Sequence, residues 1–93
     1  MRREGWTTAA MRAAPDGAVY VWVNSHLAYP RALARSLGRT DLLVVSPGWV
    51  RASNLQGRRV PIVVDHAARL TGDQLDELWH YYQRALDWRK TED

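Results

Sequence analysis

The sequence contains no cysteine, no phenylalanine and only one lysine, and it has no long apolar run. The absence of cysteine excludes disulfides, thiolate catalysis and cysteine-ligated zinc. The apolar runs fall well short of the roughly 18 residues that a membrane-spanning helix needs. No charged-then-apolar segment typical of a signal peptide opens the chain. We therefore expect a cytoplasmic protein with no membrane partner.

What is present is the composition of a folded chain, with 46% hydrophobic and 25% charged residues among 93. This length is typical of one domain, so we expect a single domain over residues 1–93. The net charge is +3 and is unevenly distributed. Residues 17–64 hold six arginines and one acid, whereas acids outnumber basic residues after residue 71. This asymmetry predicts a basic face in the middle of the chain.

Three short runs of β-branched and aromatic residues predict the strands of a buried sheet, at residues 18–23, 42–45 and 60–64. Pro61 indicates an early or edge position in the ladder for the last of them. A helix is predicted over 8–14, with Thr7 as its N-cap, and another over 30–37, ended by Gly38. Because helices separate the strands, the sequence predicts an α/β fold with a short, mainly parallel sheet of about three strands flanked by helices.

A long C-terminal helix completes the predicted fold. Thr71 and Gln74 have the spacing of a capping box, in which each residue satisfies the other's backbone N–H. The apolar residues that follow at helical spacing predict its buried face: Leu75, Leu78, Trp79, Tyr82 and Leu86. Tyr81 and Trp88 lie seven residues apart on a second aromatic stripe. Residues 49–59, between the second and third strands, are predicted to be a loop with at most one helical turn.

Several segments resemble parts of a P-loop NTPase. The third strand runs directly into Asp65, which resembles a Walker B strand with its magnesium-binding acid. Residues 2–11 resemble the end of a Walker A loop and the start of its helix. Residues 19–26, followed by the helix that carries Arg31, are similar to the second strand and helix of phage terminase or helicase ATPases. The chain thus resembles a truncated, degenerate core of such an ATPase, and this implies a small phage or prophage protein.

The same resemblance implies that the chemistry of the family is lost. Trp6 stands where a P-loop has its phosphate-binding lysine, and His66 stands where a second acid usually follows Asp65. Only four residues precede Gly5, too few for the first strand and the glycine-rich turn. Without these groups, phosphoryl transfer lacks most of its electrostatic stabilisation. We expect no catalytic residue, no cofactor and no ATP hydrolysis, and a sheet edge open to a partner or to a second copy.

Three functions follow as hypotheses. The first is a non-catalytic protein-binding module, for example an inhibitor of a host complex, with partner-binding residues Trp49, Tyr81 and Trp88. The second is a nucleic-acid or nucleotide-phosphate binder that uses an arginine stripe made of Arg31, Arg35, Arg39, Arg58 and Arg59. The third is a metal-dependent or acid–base enzyme in which His26 joins Asp65 and His66 at the carboxyl end of the sheet. We favour the first, acting on a protein partner or as a homo-oligomer.

Overall fold

The computed structural model describes residues 3–56 and 60–92, and it describes side chains over 5–56 and 60–84. The helices are α1 (Arg3–Ala13), α2 (Ala28–Ser36), α3 (Ala52–Leu55) and α4 (Gly72–Glu92), with a 3₁₀ turn at Pro47–Trp49. The strands are β1 (Val19–Val21), β2 (Leu43–Val45) and β3 (Ile62–Val64). No helix in these ranges is long and apolar enough to cross a bilayer. The chain divides into two compact units, one of Met1–Trp49 with Val60–Arg69 and one of Val50–Arg59 with Leu70–Asp93.

The sheet of the first unit is parallel, with β1 in the centre and the order β2-β1-β3. Tyr20 lies opposite Val44 on one side and Val63 on the other. All three residues of β1 are buried, as its run of β-branched and aromatic residues predicts for a central strand. The predicted α/β fold with a short parallel sheet is confirmed, and so is the edge position of the strand that follows Pro61. Each strand is shorter than its apolar run.

One face of the sheet is covered by α1 and α2. Met11 of α1 and Ala34 of α2 are buried in the same cluster as Tyr20 and Val44. Small residues in the helices let the two backbones approach the sheet around the large Tyr20 ring. The helices are therefore held by apolar burial on one stripe, which is the usual source of helix stability in small domains.

Two glycines lie in the segments that connect helices to strands, and both have a left-handed backbone conformation. Gly17 has φ of 72° in the turn between α1 and β1, and Gly38 has φ of 74° directly after α2. Residues with a Cβ rarely adopt this conformation. The prediction that Gly38 ends the second helix is confirmed. Pro30 lies in the first turn of α2, where its missing N–H costs no hydrogen bond.

The prediction that Thr7 caps α1 is wrong, because the helix begins at Arg3. Thr7 lies inside α1, and its side chain is buried. Its hydroxyl is bonded to a residue far along the chain, described below, rather than to the start of its own helix. A tertiary contact has replaced the local role that the residue type suggested.

In the second unit, α4 begins as predicted. The Thr71 N–H donates to Gln74 Oε1 at 2.9 Å, and the Gln74 N–H donates to Thr71 Oγ1 at 3.1 Å. This reciprocal pair is the capping box, so the start of α4 is determined by local sequence. The neighbouring α3 is a single helical turn, as predicted for the loop that contains it, and its Leu55 is buried.

The predicted buried face of α4 is wrong. Leu78 is buried as expected, but Leu75, Trp79 and Tyr82 are 55%, 60% and 43% exposed. Tyr81, which the sequence assigned to a second stripe, is 1% exposed. The apolar side chains of α4 lie on more than one side of the helix, so their spacing was compatible with two different buried faces. The structure buries the face with Leu78 and Tyr81. Leu86 lies outside the described side chains.

Candidate functional site

The first unit contains a buried acid that accepts three hydrogen bonds, the carboxylate of Asp65 directly after β3. Its Oδ2 accepts a hydrogen bond of 3.0 Å from the Thr7 hydroxyl and one of 2.6 Å from the Tyr20 hydroxyl. Its Oδ1 accepts the Ala67 N–H at 3.0 Å. Asp65 is 2% exposed. We call Thr7, Tyr20 and Asp65 the Asp65 cluster, and it joins α1, the central strand and the end of β3.

Burial and charge act together on the tyrosine of this cluster. Burial of the Tyr20 ring raises the pKa of its hydroxyl well above the ordinary value, and the hydrogen bond to the Asp65 carboxylate raises it further. The hydroxyl therefore keeps its proton and acts as a donor. A buried carboxylate needs such donors, because an unpaired buried charge is strongly unfavourable.

His66 and Trp6 lie at the rim of the Asp65 cluster. His66 Nδ1 is 3.4 Å from Asp65 Oδ1, and the side chain is partly exposed. The Trp6 ring meets the His66 ring edge-on, with centroids 4.7 Å apart. The aromatic pair thus covers one approach to the carboxylate from solvent.

This arrangement uses Asp65 as a structural acceptor. Asp65 and His66, the Walker B-like pair of the sequence, lie at the carboxyl end of the sheet as predicted. Both carboxylate oxygens, however, already accept hydrogen bonds from protein groups. A metal ion or a substrate proton would have to compete with these donors for the carboxylate oxygens. The cluster can hold three segments together, and it can exclude water from the end of the sheet.

The histidine and aspartate set predicted for metal or acid–base chemistry is not brought together. His26 is exposed, and its backbone N–H bonds to Asn24 Oδ1 at 2.9 Å within a local turn. Among the described residues, no group of three or more histidine, aspartate or glutamate side chains is placed to hold a metal ion. Asp65 and His66 therefore stand as a pair without His26.

The arginine stripe is divided by the structure. Arg39 donates to four carbonyl oxygens at the end of α1 and beyond it, those of Met11, Arg12, Ala14 and Pro15, at 2.7 to 3.2 Å. It also donates to both carboxylate oxygens of Asp41 at 3.1 Å. All five of its N–H groups are in use. Arg39 thus caps the C-terminus of α1, where a cation complements the helix dipole.

Asp41 completes this second polar centre. It accepts the Gly17 N–H at 2.8 Å in addition to the two bonds from Arg39. The hydrogen bonds from Arg39, followed by the one from Gly17, hold the pKa of Asp41 well below its usual range. Asp41 in turn raises the pKa of Arg39. The pair locks the turn before β1 to the turn before β2.

Arg31 and Arg35 remain on the exposed surface of α2. The Arg31 Nη2 atom lies 3.5 Å from the carbonyl oxygen of Val44, at the free edge of β2. No described acid lies within ion-pair distance of either arginine. Arg58 and Arg59 of the predicted stripe lie outside the described residues. Two of the five arginines are therefore shown to face solvent.

The aromatic residues predicted to bind a partner are also divided. Tyr81 is 1% exposed, so it does not contribute to the exposed surface of α4. Trp49 is half-buried in the 3₁₀ turn. The side chain of Trp88 lies outside the described ones. Three other large apolar side chains of α4 are exposed, and we call them the α4 stripe: Leu75, Trp79 and Tyr82.

Comparison with known proteins gave no relative from which a site could be transferred. No protein-family model, curated protein or solved structure matches this chain. The candidate sites are therefore interpreted from geometry. Three features stand out: the Asp65 cluster, the exposed α4 stripe and the two exposed arginines of α2 that have no described acidic partner.

Sequence reasoning missed the Asp65 cluster and the role of Arg39. The cluster has no local signal, since Thr7 and Tyr20 lie 58 and 45 residues from Asp65. Arg39 did carry a signal: an Arg-x-Asp segment directly after a helix-ending glycine favours a bidentate pair that can reach backbone carbonyls.

Proposed function

We propose that this chain is a non-catalytic protein-binding module that associates through the α4 stripe. The observation that supports this proposal is the exposure of three large apolar side chains on one side of a single helix. Leu75, Trp79 and Tyr82 follow one another at spacings of four and three residues, so they project from the same side. Tryptophan and tyrosine are the residues most enriched at the energetic centres of protein interfaces.

The absence of catalysis in this proposal is supported by the Asp65 cluster. In P-loop NTPases, a Walker A serine or threonine and the Walker B aspartate hold one magnesium ion between them. The resemblance aligns Thr7 and Asp65 with these two residues, and here they are hydrogen-bonded directly to each other. Trp6, at the lysine position, packs on His66. Groups that would serve the nucleotide in an ATPase serve the fold in this chain.

We infer that the partner on the α4 stripe is a second copy of the chain, in antiparallel orientation. Residues 72–80 hold three acids and no lysine or arginine, whereas residues 81–92 hold three basic residues and two acids. Antiparallel pairing places the acidic half of each helix beside the more basic half of the other. Parallel pairing would place the acidic halves together, which is unfavourable.

The spacing of the stripe fits the same orientation. In an antiparallel pair related by a two-fold axis between Trp79 and Tyr82, each of these rings meets the other on the second helix. Such a contact is isologous, so both copies contribute the same residues. The aromatic rings would form the centre of the interface and Leu75 its margin.

Sedimentation equilibrium over a range of concentrations tests this proposal. We expect a monomer–dimer equilibrium for the wild-type chain, and a weaker one for Trp79→Ala. Loss of a hot-spot tryptophan costs about 2 kcal/mol or more of association free energy. Arg84→Ala is the matched control, because it removes an exposed polar side chain from the opposite side of the same stretch of α4.

Circular dichroism separates loss of association from loss of folding. Because Trp79 is largely exposed, Trp79→Ala should stay folded, and Tyr82→Ser serves as a second variant if it does not. A wild-type chain that stays monomeric at every concentration would refute the pairing of two copies. Association that is equally strong in wild type and Trp79→Ala would move the interface to another surface.

The non-catalytic part has its own test. We expect ATP turnover by the purified protein to remain at background, because Asp65 is closed by Thr7 and Tyr20. Turnover that disappears in Asp65→Asn, with folding intact, would show that the cluster is an active site and that the proposal is wrong.

A further inference from the structure

A groove runs along the free edge of the sheet, between α2 and β2. Its volume is about 340 Å³. We call it the β2 groove. Its lining includes Arg31, Ala34, Arg35, Leu42, Leu43 and Val44. It lies wholly within the first unit and shares no residue with the α4 stripe.

The charge of the β2 groove comes from two arginines that have no described acidic partner, and one of them, Arg31, donates a long hydrogen bond to the Val44 carbonyl oxygen. Arg39, at one end, is neutralised by Asp41 and carries no free N–H. Arg31 and Arg35 lie one helical turn apart on the wall formed by α2, and no described acid pairs with them. Two unpaired guanidinium groups on one wall attract carboxylates or phosphates, to which they can bind in bidentate fashion.

The apolar floor of the β2 groove distinguishes between these two anions. Ala34, Leu42 and Val44 are buried beneath it, and Leu43 is 41% exposed on the edge strand. A sugar-phosphate backbone gains little from apolar contacts of this kind. A peptide that alternates acidic and apolar side chains gains from both the wall and the floor, since ligand sites combine apolar lining with a few placed polar groups.

We propose that the β2 groove binds an acidic peptide segment of another protein, with carboxylates on Arg31 and Arg35 and apolar side chains on Leu43 and the floor. The arginines of α2 would attract the carboxylates of the peptide, and the apolar floor would bury its apolar side chains. This site goes beyond association through the α4 stripe, because it recognises a different partner on a different unit. Loss of either site leaves the other intact.

Fluorescence anisotropy with labelled probes tests this proposal. The first probe is a decapeptide of alternating glutamate and leucine, and the comparison probes are an all-glutamate decapeptide, an alternating lysine–leucine decapeptide and an oligothymidylate. We expect the glutamate–leucine peptide to bind most tightly. Arg35→Ala and Arg31→Ala should each raise its Kd about tenfold, as loss of one charge-assisted hydrogen-bonding group does.

Arg12→Ala is the matched control, because it removes the same charge from an exposed position on α1, outside the groove. It should leave the Kd unchanged, and so should Trp79→Ala. An equal loss in Arg12→Ala would show that net charge alone attracts the peptide and would overturn the proposal. Equal affinity for the all-glutamate peptide would show that the floor is unused, with the same consequence.

The nucleic-acid alternative is decided in the same experiment. If the oligothymidylate binds more tightly than every peptide, with affinity that falls steeply as salt is raised, the two arginines contact phosphates instead. Failure of all four probes to bind would remove the β2 groove as a site. The Arg35 side chain is exposed and makes no described hydrogen bond or ion pair, so Arg35→Ala should stay folded and these outcomes can be distinguished.

Discussion

Thr7 and Asp65 lie 58 residues apart in the chain and are joined by a hydrogen bond of 3.0 Å from the threonine hydroxyl to carboxylate Oδ2. The Tyr20 hydroxyl donates to the same oxygen from the central strand. One buried carboxylate oxygen thus links a helix and two strands. The stability of the first unit should depend on these donors more than on any exposed ion pair, since exposed pairs contribute little.

Tyr20→Phe tests this dependence. The variant keeps the ring and removes one donor from a buried carboxylate, which should lower the free energy of unfolding by about 1–3 kcal/mol. Urea denaturation followed by circular dichroism measures the change. Tyr29→Phe is the control, because Tyr29 is exposed and should change stability by less than about 0.5 kcal/mol. Equal effects in the two variants would show that the Asp65 cluster contributes no special stability.

A second prediction concerns acid stability. The hydrogen bonds from Arg39 and Gly17 lower the pKa of Asp41 in the folded chain, whereas in the unfolded chain it stays at about 3.9. The stabilisation from this carboxylate is therefore complete above that pH and is lost as the pH falls through the lowered folded value. Asp41→Asn should be less stable than wild type at neutral pH, and the difference should narrow below about pH 4.

Urea midpoints measured across the acid range provide this comparison. Asp16→Asn serves as the control, because the Asp16 side chain is fully exposed and its carboxylate comes no closer than 4.0 Å to the Arg39 guanidinium. A gap between wild type and Asp41→Asn that stays constant with pH would contradict the assigned ion pair.

The corrected face of α4 gives a third prediction. Leu78→Ala should cost about 2–5 kcal/mol, because it empties a buried position in a small fold. Leu75→Ala, three residues earlier and more than half exposed, should change stability by no more than about 0.5 kcal/mol. Thermal or urea unfolding of the two variants distinguishes the faces. A loss of about 2 kcal/mol or more in Leu75→Ala as well as in Leu78→Ala would restore the face that the sequence indicated.

Two glycines should respond to alanine with opposite signs. Gly38→Ala places a Cβ at φ of 74°, which costs about 1–2 kcal/mol. Gly5→Ala lies within α1 with no atom within 4 Å of the new Cβ, so it should stabilise by about 0.5–1 kcal/mol. Unfolding midpoints measure both. Stabilisation by Gly38→Ala would mean that the left-handed turn after α2 is absent.

Features encoded by neighbouring residues could be predicted from the sequence. The capping box of Thr71 and Gln74 and the helix-ending Gly38 need only residues within one turn. The parallel sheet followed from apolar runs separated by helices. Burial of β1 followed from its uninterrupted apolar character, because a strand with one solvent-facing side would alternate with polar residues.

Features that depend on packing could not be predicted. Leu75, Leu78, Trp79, Tyr81 and Tyr82 place apolar groups around much of α4, so periodicity alone could not select the buried side. Thr7 had the residue type of a helix cap, and a distant carboxylate changed its role. For the candidate site, the sequence located Asp65 at the end of a strand but gave no sign of the two hydroxyls that close it.

The position of β1 has a consequence for refolding. This strand comes first in the chain, yet both of its neighbours come later, and β3 comes last. Until β3 docks, one edge of β1 exposes unpaired N–H and C=O groups, and such edges pair with other chains. The species that lacks β3 is therefore the one most prone to aggregate. The yield of refolded protein should therefore fall as the protein concentration rises, even where the native protein itself does not aggregate.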